Sequence, residues 1–175
     1  MRLFAIRHGE SEGNVDETVY TRKADFKIEL TARGRQQADE MRDNLPSVDK
    51  IYCSPYMRTR QTMEYLYPDI SLRPPVIWEP SLQEHSIGNY RDLKEIEVCR
   101  IYSRFFYRFR DGESGADVYE RCVNFLHRIR SSDERILLVT HAYTMRVLYA
   151  IRYNLHPEEI DHLPKPDNCS IMDLS

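Results

Sequence analysis

The stretch Leu3-Phe4-Ala5-Ile6-Arg7-His8-Gly9-Glu10-Ser11 constrains the chain most, because an apolar run ends abruptly in an arginine, a histidine and a glycine. A continuous apolar run of this length reads as a strand buried in a sheet. In open α/β sheets ligands bind beyond the carboxyl ends of the strands, where Arg7 and His8 stand. Gly9 is expected to let the backbone come close to whatever His8 touches. The stretch Arg135-Ile136-Leu137-Leu138-Val139-Thr140-His141 repeats the design, so two strands end in histidine.

The rest of the chain alternates strand and helix. Thr31 is placed to cap a helix carrying Ala38, Met41 and Leu45 inward and stopped by Pro46. Gly34 costs that helix about 1 kcal/mol against alanine, which close packing would explain. Residues 50–53 read as a strand, 57–67 as a helix ended by Pro68, 76–78 as a short strand, 144–153 as a helix and 169–174 as a last strand. Residues 12–29, with Gly13 and Asn14, read as a long loop, and long loops in compact domains tend to be functional. Val98, Ile101, Tyr102, Phe105, Phe106 and Phe109 fall at helical spacing with Arg100, Arg104 and Arg108 beside them. Arginines among aromatics invite a nucleic-acid reading; the favoured one is an amphipathic helix with a solvated arginine flank. Ser114 or Asp117 caps the next helix, whose inward face is Val118, Cys122, Phe125, Leu126 and Ile129.

Composition narrows the function classes. At 175 residues the expectation is one domain over 1–175, and a net charge of −3 gives no basic field for nucleic acid or an anionic membrane. No apolar segment has the length to cross a bilayer, and the N-terminus is not that of a signal peptide. Cys53, Cys99, Cys122 and Cys169 show no paired spacing and are read as reduced thiols, so the expected location is cytoplasmic.

Parallel strands gather their ends on one edge, which brings Arg7, His8, Arg58 and His141 together. Two arginines and two histidines describe an anion site, and paired guanidinium groups favour a tetrahedral oxyanion. Asn14 and backbone N–H groups near Gly9 are candidate further donors. Glu158, Asp161 and His162 put no clean ligand set on one helical face, so they are read as helix-surface charge rather than a metal site.

These residues resemble the histidine phosphatase superfamily, also called phosphoglycerate mutase-like. Arg7-His8-Gly9-Glu10-Ser11 with Asn14 matches its signature, and Leu30-Thr31 with Gly34, Gln37 and Ala38 the helix behind it. Ser54-Pro55, Arg58 and Gln61-Thr62 match a second block, Leu82 with Glu84 and Gly88 a third, Gly112-Glu113-Ser114 a fourth and Val139-Thr140-His141 the last. The resemblance implies a three-layer α/β/α sandwich with a mostly parallel central sheet. It also implies covalent catalysis: His8 as nucleophile forming a phosphohistidine, with Arg7, Arg58 and His141 holding the equatorial oxygens. Asn14 is a further contact. Glu84 resembles the general acid, which has to be protonated, through burial or a dianionic substrate raising its pKa. No metal and no cofactor is implied, because the arginines supply the positive charge.

Within the superfamily the residues lean toward a phosphatase acting on a small phosphorylated substrate. The loop after Asn14 lacks the Gly-Trp element of the glycolytic mutases, and His85 stands after Glu84 where those enzymes have arginine. Ala142 replaces the frequent glycine after the second histidine, tightening the space beside it. Arg22, Lys23 and Lys27, with Tyr20, Tyr90 and the aromatic stretch, are candidates to line the substrate's approach, against a reading as solvated loop residues. The alternatives are mutase-type phosphoryl transfer and a catalytically silent phosphate-binding domain.

Overall fold

The alternation inside the two apolar runs decides the architecture. In this computed structural model, which describes residues 1–88, 103–131 and 133–175, Leu3, Ala5, Ile136 and Leu138 join one core. Ile6, Leu137 and Val139 join another on the opposite side. The five strands are β1 (Arg2–Arg7), β2 (Lys50–Cys53), β3 (Val76–Trp78), β4 (Arg135–Thr140) and β5 (Ile171–Asp173), in the sheet order β3-β2-β4-β1-β5. β1 and β4 run parallel with Leu3 opposite Ile136 and Arg7 opposite Thr140. β2 and β3 continue the parallel set, and only β5 is antiparallel, on the β1 edge. Strands buried on both faces need no polar alternation, which is why the runs read as unbroken.

Helices cover both faces. The helices are α1 (Glu12–Val15), α2 (Ala32–Met41), α3 (Met57–Leu66), α4 (Gly115–Ile129) and α5 (Ala142–Arg152). α2 and α3 pack Ala38, Met63 and Leu66 on one face, while α4 and α5 pack Val118, Cys122, Phe125, Val147 and Leu148 on the other. The result is the expected three-layer α/β/α arrangement with a mostly parallel sheet. Thr31 caps α2 by accepting from the Gly34 N–H at 3.0 Å, and Ser114 caps α4 in a reciprocal box with Asp117. α5 begins two residues earlier than expected, because His141 is itself the N-cap and joins β4 to α5 directly.

The two long irregular stretches differ from expectation. Residues 12–29 are mostly helical turns: α1 is followed by 3₁₀ turns at Glu17–Thr21 and Asp25–Lys27. The expected helical face from 98 to 109 is not a helix over its described part. Residues 103–109 form a turn and an extended segment, and Ser103 has φ 71°. The carbonyls of Arg104 and Phe105 accept from the first N–H groups of α4, at Gly115 and Ala116, so the segment folds back over that helix end. Phe105 and Phe109 are buried there and Phe106 is exposed. From residue 103 on the helical spacing serves a non-helical segment; Val98, Ile101 and Tyr102 lie outside the described residues.

Gly9 and Gly34 let two backbones touch. A Cβ on Gly34 would meet the Glu10 carbonyl oxygen at 1.9 Å, and one on Gly9 the Gly34 oxygen at 2.3 Å. The glycine in α2 therefore seats the helix against the exit of β1. Cys53, Cys122 and Cys169 are buried free thiols, and Cys99 lies outside the described residues. Among the described residues, no helix is long and apolar enough to cross a membrane.

Candidate active site

The parallel strands deliver their ends to one cavity of about 870 Å³. His8, one residue past β1, is 3% exposed, and its Nδ1 lies 2.7 Å from the Gly9 carbonyl oxygen. A carbonyl only accepts, so Nδ1 carries the proton and Nε2 keeps the lone pair. Burial holds the His8 pKa well below its ordinary value, and the Arg58 and Arg7 charges push the same way. The neutral form expected from the arginines is thus favoured first by burial.

Arg7 ends β1 and lines the cavity; its Nη1 donates to the Pro166 carbonyl at 2.8 Å, while its buried Nε has no partner. Arg58, second residue of α3, is 2% exposed and donates to both the carbonyl and the carboxylate of Asp25, at 2.9 and 2.7 Å. His141 is fully buried behind His8, ring centroids 5.2 Å apart, with Nε2 on the Ser54 hydroxyl at 2.9 Å and Nδ1 unpartnered. Buried polar atoms without partners are rare in folded proteins; the Arg7 side chain lines the cavity, whereas His141 lies behind His8 and is not among the residues that line it.

Asn14 lines the same cavity. Its Oδ1 accepts from the Ser11 N–H and hydroxyl and from the Asn168 amide at 3.1, 3.2 and 3.2 Å. That network assigns the NH₂ group of Asn14 as the remaining donor. Asn168 also donates to the His8 carbonyl at 2.9 Å. Sequence reasoning missed Asn168; its position between a turn and the last strand was the available signal.

Glu84 sits at the start of α5, where its carboxylate accepts from the backbone N–H groups of Tyr143 and Thr144 at 3.2 and 3.4 Å and from His85 N–H at 2.9 Å. Burial pushes its pKa up, but Arg104, the His85 N–H, Arg58 and the Tyr143 N–H together outweigh burial and leave it below the ordinary value. Burial alone therefore does not protonate Glu84, contrary to one of the two routes expected. A helix N-terminus favours the anion.

Other expected contacts lie elsewhere. The Gly9 N–H is taken by the Thr62 hydroxyl at 3.1 Å and Gly9 does not line the cavity; its close approach is to Gly34. Arg22 pairs with Asp16 and Lys23 with Glu12, both away from the cavity, because acids in the same short turns are nearer. Ala142 does line it, as does Tyr20, whose phenol burial pushes up to about 12. Tyr90 lies outside the described residues. The rest of the cavity wall carries Arg104, Arg146 and Lys165, together with Glu158, Asp161 and His162. Arg104 is thus no solvated flank, and the acidic cluster is helix-surface charge as expected, with Glu158 and His162 exposed on a 3₁₀ turn that also borders the cavity.

A mostly parallel five-stranded sheet with two arginines and two histidines at its carboxyl edge defines an α/β protein with a basic cavity at that edge. The family model described as histidine phosphatase superfamily (branch 1) matches residues 3–175, and the chain belongs to that superfamily. It is 34% identical over 199 residues to phosphoglycerate mutase-like protein AT74 of Arabidopsis thaliana, covering 97% of this chain and 63% of that protein. It is 30% identical over 190 residues to the adenosylcobalamin/alpha-ribazole phosphatase of Escherichia coli, covering 100% and 91%. The crystal structure of the alpha-ribazole phosphatase from Shigella flexneri superimposes with a TM-score of 0.82 at 26% identity, covering 98% of this chain and 88% of that one.

Proposed function

We propose that the protein is a metal-independent phosphatase that hydrolyses a small phosphomonoester through a phosphohistidine on His8. The observation that carries the reading is the His8 ring, held toward the neutral form by burial and by the Arg58 and Arg7 charges, with Nδ1 on the Gly9 carbonyl and the ring lining the same cavity as both arginines. Nε2 attacks phosphorus in line and the phosphorus–oxygen bond to the leaving group breaks. Arg7, Arg58, Asn14 and His141 stabilise the charge on the equatorial oxygens, worth most in a water-poor site.

Glu84 gives its proton to the departing alkoxide and, as a carboxylate, then takes one from water, whose oxygen attacks the phosphohistidine and releases inorganic phosphate. Glu84 is a carboxylate in the free protein, so the proton for the first step is taken up as the phosphoryl dianion arrives and offsets the arginine charges. We place this activity in the cytoplasm and in one domain spanning the chain.

The test is release of phosphate from 4-nitrophenyl phosphate in the presence of a chelator. Turnover absent from a His8→Ala control is expected; no release above that control sinks the proposal. Interconversion of phosphoglycerates with little net phosphate, followed by a coupled assay, would replace it by a mutase.

A further inference from the structure

One buried network on the cavity wall takes no part in holding a phosphoryl group. His85 is 2% exposed, stacked on Tyr143 with centroids 4.9 Å apart and met edge-on by Phe109 at 5.5 Å. Its Nε2 lies 2.8 Å from the Glu113 carbonyl oxygen, so Nε2 carries the ring proton and Nδ1 is the acceptor. Arg104 donates Nε–H to that Nδ1 at 2.7 Å, and its guanidinium lies 4.2 Å from the Tyr143 ring centroid. A hydrogen bond at one nitrogen and a ring under the plane fix a guanidinium in two directions. No ion pair among the described residues engages Arg104. The charge is therefore immobilised on the cavity wall with no paired carboxylate among the described residues.

We propose that Arg104, clamped by His85 and Tyr143, is a positioning residue that keeps Glu84 a carboxylate in the free protein and so sets the pH above which transfer to His8 slows. The inference rests on the proton-donor reading of Glu84. The charged groups coupled to Glu84 are Arg104, Arg58 from α3, Arg7 from β1, Arg121 from α4, Arg146 from α5 and Lys165, with Tyr20, Tyr56, Tyr143, Cys122 and His85 as neutral titratable neighbours. The two residues that hold Arg104 also hold the Glu84 carboxylate, through the His85 N–H at 2.9 Å and the Tyr143 N–H at 3.2 Å, and the Arg104 charge lowers the Glu84 pKa. His85 is itself held neutral, its pKa lowered to about 4 by burial and by Arg104, so the clamp does not titrate at working pH.

The sign follows. Removing a nearby cation raises the Glu84 pKa, and the acid form then survives to higher pH. In Arg104→Leu the basic limb of kcat/KM for an alkyl phosphate, whose leaving group needs the proton, should move up by about 1 pH unit. With 4-nitrophenyl phosphate, whose leaving anion needs no proton, the limb should stay where it is. His85→Phe keeps a ring between Tyr143 and Phe109 but removes the acceptor, and should move the alkyl limb the same way by less; Arg104→Lys should largely restore it. A uniform loss on both substrates at every pH, or an unmoved alkyl limb in both variants, overturns the inference. Glu84→Gln separates the two levels. If it lowers kcat/KM equally for both substrates, the proton-donor reading fails and this inference falls with it. If it selectively abolishes alkyl turnover while the Arg104→Leu and His85→Phe limbs stay put, the Arg104 inference alone is overturned.

Discussion

The two ends of the cavity are built in different ways. The phosphoryl end comes from strand termini and a helix start: Arg7 and His8 follow β1, His141 follows β4 and Arg58 opens α3. Its side chains are 5% exposed or less. The rest of the wall comes from turns and connecting segments around Ser103, Asp161 and Lys165, and carries cations and acids together. A sheet edge fixes atoms to a geometry that one reaction needs, whereas connecting segments vary readily around a fixed scaffold. Under the proposed function, chemistry is set at one end and selectivity at the other.

The largest expected effect lies at the phosphoryl end. Arg58→Leu should lower kcat/KM for 4-nitrophenyl phosphate by about 10³-fold, since a buried donor is lost where charge develops. A loss below tenfold would erase the contrast between the two ends.

The buried histidines of both ends give a pH signature. His8, His85 and His141 are all held below the ordinary histidine value, chiefly by burial, whereas the unfolded chain protonates them as pH falls through about 6.5. The unfolded state then binds more protons than the folded one, so stability drops with falling pH. The drop is about 1.4 kcal/mol per pH unit for each histidine, and for His85 it runs down to about pH 4. Urea unfolding at pH 7.5, 6.5 and 5.5 reads this directly; a flat profile below 6.5 contradicts the buried neutral histidines.

Smaller effects sharpen the boundary. Asn168→Ala should cost about tenfold in kcat/KM by freeing the Asn14 amide. In the double variant with Asn14→Ala it should add little further, because the two act as a unit; full additivity would contradict the network. Lys165→Ala, on the wall, should change KM by only about threefold, with kcat kept and the size of the effect falling as salt rises. A large kcat loss would move Lys165 into the phosphoryl end.

The same division explains what the chain disclosed. The phosphoryl end was legible because apolar runs locate strands and a strand's last residue has a known place in the fold. Even there, Gly9 was read as facing a ligand when it faces Gly34, since a sequence does not say which neighbour requires the close approach. The wall was not legible. Arg104 sits in a stretch whose spacing matched a helix, yet Ser103 with φ 71° and the backbone bonds to α4 turn it inward. Of the two readings open for Arg22 and Lys23, substrate approach or solvated loop, the second holds, because Asp16 and Glu12 take their charges. Pairing between distant turns leaves no periodicity to read.

The central claim is that the phosphoryl group passes through His8. Rapid acid-free quench of the protein with ³²P-labelled phosphomonoester, followed by peptide mapping, tests it most directly. The account predicts a base-stable, acid-labile phosphoryl group on the peptide containing His8, formed as fast as the leaving group appears and absent in His8→Ala. Turnover with no labelled protein intermediate, or label on any other residue, contradicts it.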